Sequence, residues 1–133
     1  MRVDVRSYFL IAAVSAIVLN FPASKLEAQD ARFHNAPTSS NQLKNPYAGQ
    51  PAGAAAGSRL YATDCGSCHG IKGHGTGNIP PVSEGPTQSA SDGEVFWFIT
   101  TGAVDKGMPS WASLPERQRW QIVTYLKSLK GPA

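Results

Sequence analysis

The residues able to do chemistry in this chain are few, and most of them stand together. Cys65 and Cys68 are its two cysteines, and His69 follows directly in Cys65-Gly66-Ser67-Cys68-His69. That order has the form of a c-type haem attachment site. Two thiols separated by two residues can reach the vinyl groups on neighbouring pyrroles, each adding across a vinyl to form a thioether. The next side chain then comes up under the iron as the proximal ligand. Small residues at 66 and 67 let the backbone lie against the porphyrin edge. Two other uses of paired cysteines fit less well. A thiol–disulfide oxidoreductase needs a strand before the motif and a helix opening at it, whereas here the motif follows a helical pattern and opens into glycines. A structural zinc site needs about four ligands, and Cys65, Cys68, His69, His74 and the remote His34 are all the chain offers.

A haem iron has a second axial position, for which Met108, His34, His74 and a lysine are candidates. Met108 is favoured. It stands in Lys106-Gly107-Met108-Pro109, between two expected helices and far enough from Cys68 to cross to the other haem face. Methionine usually fills cores, but one held between glycine and proline in a loop is a poor filler, and His/Met is a known haem pairing. His74 lies too close to His69 along the chain to reach across.

The elements that must position these groups read as follows. Arg2 and Arg6 precede an apolar run from Tyr8 to Phe21, and Leu26-Glu27-Ala28 closes it. Residues 1–28 are therefore expected to be a secretory signal peptide, which makes the protein periplasmic and leaves it without a membrane span after cleavage. The run is short for crossing a bilayer, and an uncleaved membrane anchor is the alternative. Removal of the leader leaves Met108 as the sole methionine. Residues 29–51 are rich in Pro, Ser, Thr and Asn and are expected to be a flexible arm, mobile or draped over the domain, with Phe33 and Tyr47 able to pin it. Residues 52–64 read as a helix of alanines with Leu60 and Tyr61 on its apolar side. Residues 65–90 show no periodicity and many glycines and prolines, which suggests a loop wrapped around a non-protein body. Ser91-Asp92-Gly93-Glu94 is a capping box opening a helix over 91–101, with Gly102 as its stop. Residues 103–112 form a second loop. Ser113-Leu114-Pro115-Glu116 repeats the capping pattern before a last helix over 114–130. Ile122, Tyr125, Leu126 and Leu129 share one face of it, and Arg117, Arg119, Lys127 and Lys130 are expected on its wet side.

Composition narrows the classes. A chain of 133 residues is one domain at most. With 41% apolar and 16% charged residues it is too apolar to be disordered. A net charge of +3 is weak for a nucleic-acid binder, and none is expected as partner.

Several spacings agree with one known pattern. Gly57 and Tyr61 precede Cys65; Gly70, Gly73, Gly75 and Gly77 follow the motif; then come Pro80, Ile99, Gly102, Gly107-Met108-Pro109, Trp111 and Tyr125-Leu126-Lys127. In these features residues 52–133 resemble a class I monohaem cytochrome c, of the bacterial periplasmic type found with quinoprotein dehydrogenases and terminal oxidases. The resemblance implies an all-α, small cytochrome c fold, with three to five helices and long loops wrapped around one covalently attached haem c. It implies that the first and last helices cross at Gly57. It implies that the Pro80 carbonyl takes the ring proton of His69, that Ile99 lies over the haem, that Met108 is axial, and that Trp111 is near the haem edge or its propionates.

The expected function follows from ligands and resemblance together. Iron held by His69 and Met108 has no open site, and thioether ligation favours the ferrous state. That suits an electron carrier rather than an enzyme, passing one electron from a dehydrogenase or quinol-oxidising complex to an oxidase or another cytochrome. A permanent place in a larger dehydrogenase, with Phe96, Trp97 or the arm at the interface, is equally compatible. Lys72 and Lys106 flank the ligand loops and are able to steer acidic partners, or are ordinary surface lysines. A labile Met108 would instead make a gas sensor or peroxidase, and a haem-free chain a thiol-redox module.

Overall fold

A computed structural model of the chain describes residues 35–130. The expected signal peptide over residues 1–28, the expected pinning by Phe33, and His34 lie outside the described residues. The described residues are all-α. In order they form a 3-10 turn Thr38–Gln42, α1 Pro51–Asp64, α2 Gly66–His69, α3 Pro86–Ser89, α4 Asp92–Thr101, a 3-10 turn Val104–Lys106 and α5 Glu116–Ser128. Two isolated bridges, Thr76 with Ile79 and Ala103 with Met108, are the extended pairings among them. The long aperiodic stretch thus contains two single helical turns, α2 and α3, too short to leave a periodic signal.

α1 starts on Pro51, whose fixed φ suits the first helical position and whose missing N–H has no partner to lose there. Its buried residues are Gly53, Gly57 and Tyr61, one per turn on a single stripe. Two glycines in that stripe make a groove, and α5 lies in it. A Cβ on Gly57 would stand 1.9 Å from the Gln121 carbonyl oxygen and 2.9 Å from Tyr125 Cβ. The helices therefore meet backbone to backbone. Below the crossing the rings of Tyr61 and Tyr125 pack at 5.2 Å with a 54° tilt.

α4 closes the core from the other side. Its capping box forms as the sequence suggests: Ser91 Oγ accepts from the Glu94 amide at 3.2 Å and Glu94 Oε2 from the Ser91 amide at 2.6 Å. Val95 and Ile99 then bury against Trp120, Ile122, Val123 and Leu126 of α5 and Tyr61 of α1. Each such aliphatic side chain contributes about 1.5–3 kcal/mol by leaving water. Phe96 stacks on Trp120 at 3.9 Å and 15°. It belongs to this packing and remains half-buried.

The expected capping box at Ser113 does not form. α5 begins at Glu116 behind Pro115, with no side-chain cap. The Glu116 carboxylate instead accepts from Trp120 Nε1 at 3.3 Å. Proline at N-cap has already set the turn, so the Ser113 hydroxyl lies two residues too early for the role. The wet side of α5 also differs. Arg117 and Lys130 are exposed, but Arg119 and Lys127 are half-buried. The ammonium of Lys127 donates to the carbonyls of Thr87 at 3.0 Å, Gln88 at 3.3 Å and Ala90. Long stems let both side chains leave the helix edge and cover apolar surface.

Residues 35–50 lie on the domain. Ser40 is buried, and its carbonyl oxygen would be 1.8 Å from a Cβ on Gly93, at the start of α4. Asn45 Nδ2 donates to Asp92 Oδ2 at 2.8 Å and Thr124 Oγ1 at 3.0 Å, joining α4 to α5. Tyr47 packs its Cβ 3.0 Å from the space above Gly53.

Because a backbone carbonyl occupies the space a Cβ would need, Gly57→Ala should cost about 3 kcal/mol. The melting temperature of the assembled protein should fall by roughly 10 °C or more, read by thermal unfolding.

Candidate functional site

α1 delivers the attachment motif. Its last turn runs into Cys65, whose N–H donates to Tyr61 O at 2.9 Å, and the chain continues as one further turn. The amides of Cys68 and His69 both donate to Cys65 O, at 3.2 and 2.9 Å. Residues i, i+3 and i+4 of a helical turn share a face. Both thiols and the imidazole are therefore brought to one side. Cys65 is half-buried, Cys68 is exposed, and both thiols are free.

The turn ends at Gly70, with φ +77°, and the loop folds back beneath His69. Gly75 is the residue that allows it: at φ +78° a Cβ there would stand 2.3 Å from Ile79 O and 3.0 Å from Pro80 C. The Gly75 amide donates to His69 O at 2.8 Å. The return brings the Pro80 carbonyl 3.4 Å from His69 Nδ1. With Nδ1–H directed at that carbonyl, Nε2 is the nitrogen left with a lone pair. Burial lowers the pKa of His69 and the Pro80 contact opposes this more weakly, so the neutral, ligating form prevails at neutral pH.

The fastenings of this turn are not legible in the local sequence. Tyr61, 1% exposed, donates its hydroxyl to Gly70 O at 3.0 Å. Thr76 Oγ1 donates to Cys68 O at 2.6 Å, and Tyr125 OH to Ile71 O at 3.3 Å. No local pattern marks Thr76, and the apolar pattern marks Tyr61 and Tyr125 by their rings alone.

The other residues singled out lie as follows. Ile99 is in the core at 6% exposure, and its carbonyl accepts from the Trp111 amide at 3.1 Å. Trp111 is half-buried against that core. Met108 is half-buried in a closed loop, its amide and carbonyl paired with those of Ala103. His74 is exposed, with Nδ1 3.1 Å from Ser83 Oγ. Lys72 is exposed, and Lys106 makes an exposed 3.5 Å pair with Asp105.

The donor set fits a c-type haem: two free thiols and an imidazole with Nε2 available, on one face of one turn. Cys65, Cys68 and His69 would hold it, and the group supplies a one-electron iron couple when bound. The thiols fit exchange chemistry poorly. Burial, then the charges of Asp64 and Cys68, push the Cys65 thiol up to about 12. An exchange-active cysteine needs the opposite shift.

Comparison with family models agrees with this geometry. The model described as cytochrome C oxidase, cbb3-type, subunit III matches residues 52–126, more than half of the chain. The chain belongs to that family. It is a c-type cytochrome domain, and its role is haem-based electron transfer. No curated protein and no solved structure matches it. Among the described residues, no helix is long and apolar enough to cross a membrane.

Burial, helped by neighbouring Cys65 and Tyr125, raises the pKa of Tyr61 well above its ordinary value. The folded state then holds its proton where the unfolded chain has lost it. The resulting stability is full below pH ~10 and declines as pH rises further. Tyr61→Phe should lower stability by about 1 kcal/mol at pH 7. It should also shrink the loss of melting temperature between pH 8 and pH 11.

Proposed function

We propose that this chain is an exported, periplasmic electron carrier with a single haem c, bound covalently through Cys65 and Cys68 and ligated by His69 and Met108. It accepts one electron from a dehydrogenase or quinol-oxidising complex and passes it to an oxidase or another cytochrome. The observation that carries this reading is the single turn presenting both thiols together with an imidazole oriented by Pro80. A ligand held that rigidly suits a centre that changes charge with little movement.

The surface around the turn supports docking there. Ile71, on the loop directly after the turn, is 66% exposed, and Val104, on the loop of the proposed sixth ligand, is 71% exposed. Apolar side chains in the open beside a redox edge suit brief contact with a partner, and Lys72 adds positive charge for steering.

Two variants test the assignment. Cys65→Ser together with Cys68→Ser should abolish covalently loaded protein in the exported fraction; normal yields would refute the attachment. Met108→Ala should lower the midpoint potential by on the order of 100 mV, a fraction of the range axial ligands span. It should also let the reduced protein bind carbon monoxide. A wild-type protein that lacks the sulfur-to-ferric-iron band and already binds carbon monoxide would turn the reading toward a sensor or peroxidase.

A further inference from the structure

The loop that carries Met108 leaves α4 at Gly102 and rejoins the helices at α5. Its base is tight. Gly102 has φ +70°, and a Cβ on it would stand 2.5 Å from Pro109 O. Ala103 and Met108 exchange both backbone hydrogen bonds, at 2.9 and 3.1 Å. Ser110 Oγ donates to Thr100 O at 2.7 Å. All of these bonds tie the loop to α4 or to itself.

Arg119 joins it to α5. Its Nε donates to Leu114 O at 3.1 Å, at the end of the loop. Its Nη1 donates to Thr100 Oγ1, just before the loop starts. Thr100 spends its own proton on Phe96 O at 2.7 Å, which leaves its oxygen free to accept. The guanidinium also lies 4.7 Å from the Phe96 ring centroid, a cation–π contact. One planar fork thus grips both ends of the loop and the helix beneath it, a geometry a lysine cannot reproduce.

α5 is fixed to α1 by the backbone contact at Gly57, and α1 leads directly into the turn of His69. A continuous packed path therefore runs from one proposed axial residue to the other, and Arg119 is its last link. We infer that Arg119 is a positioning residue: it latches the Met108 loop to the helix pair that carries His69, and so sets how firmly Met108 holds the sixth coordination position. This rests on the proposed His69/Met108 ligation. Loss of the latch favours local opening of the loop, which frees that position without unfolding the domain.

The test uses the haem-loaded protein as wild type, Arg119→Gln, Arg119→Lys and, as a charge control on the same stretch, Lys130→Gln. Amide exchange at Ala103 and Met108 reports opening directly. It should accelerate about tenfold or more in Arg119→Gln, the loss expected for hydrogen bonds from a charged group, while Val123 in the core of α5 changes little. The sulfur-to-iron band should weaken and carbon monoxide binding should appear. Arg119→Lys should fall between, and Lys130→Gln should match wild type. Unchanged exchange at Ala103 and Met108, or an equal rise across α5, would overturn the latch. If Arg119→Gln does not accumulate loaded protein, Thr100→Val removes one acceptor and should move the same readings in the same direction; unchanged readings there would overturn it too. A wild-type protein without the sulfur band would defeat the ligation reading, and with it Arg119 as a setter of coordination; accelerated exchange would then show a loop fastening only.

Discussion

The backbone contact between α1 and α5 at Gly57 is the constraint on which the rest of the structure depends. With no Cβ between them, the Gln121 carbonyl sits where a side chain would otherwise stand. That closeness lets Tyr61 and Tyr125 meet, and it brings α5 near enough for its side chains to reach the loops. Tyr61 is the third member of the same buried stripe, and its hydroxyl holds the residue after His69. The crossing at the middle of α1 and the attachment turn that follows its last residue are therefore linked through one helix. A wider crossing would move α5 outward and take its loop contacts with it.

Those loop contacts answer a second physical demand. Backbone in long loops has no ladder partners, yet buried carbonyls and amides must be satisfied. Side chains meet much of that need here. Lys127 gathers the carbonyls of Thr87, Gln88 and Ala90. Burial lowers its pKa; Asp92 and Glu94 oppose that, while Lys130 adds to it. Gln88 Nε2 bridges Val82 O at 2.7 Å and Leu126 O at 2.9 Å, tying the haem loop to the end of α5. Arg119 serves the Met108 loop in the same way. The two loops are thus fastened to the same helix, at opposite ends.

For electron transfer this arrangement is economical in chemistry. No acid, base or nucleophile is required, only ligands held in place by the surrounding chain. His69 is constrained by its helical turn, by the Gly75 amide on its carbonyl and by Pro80 at its ring. Met108, the proposed second ligand, is constrained by its pairing with Ala103 and by the closed base of its loop. Residues 35–50 add a tie between α4 and α5 through Asn45, away from the motif in sequence and joined to it through the core.

The amino-acid order alone determined the chemistry and the long helices. Cys65, Cys68 and His69 carry their meaning in local spacing, which a reader of one turn can see. The helices around Tyr61 and Ile122 follow from residue propensity and apolar periodicity, and the one around Val95 from the Ser91–Glu94 cap and the Gly102 stop at its ends. Only the tertiary structure decided which side chains reach across space. Arg119 and Lys127 sit on the polar side of a helical wheel, and nothing local says that carbonyls of another segment lie within reach. Thr76 and Asn45 look like ordinary loop polar residues until the chain folds back on them. Ser113 shows the converse: a capping pattern legible in the sequence gave way to Pro115. Short-range signals are written in neighbouring residues, but the satisfaction of buried backbone groups depends on where distant segments come to rest, and that is settled by packing.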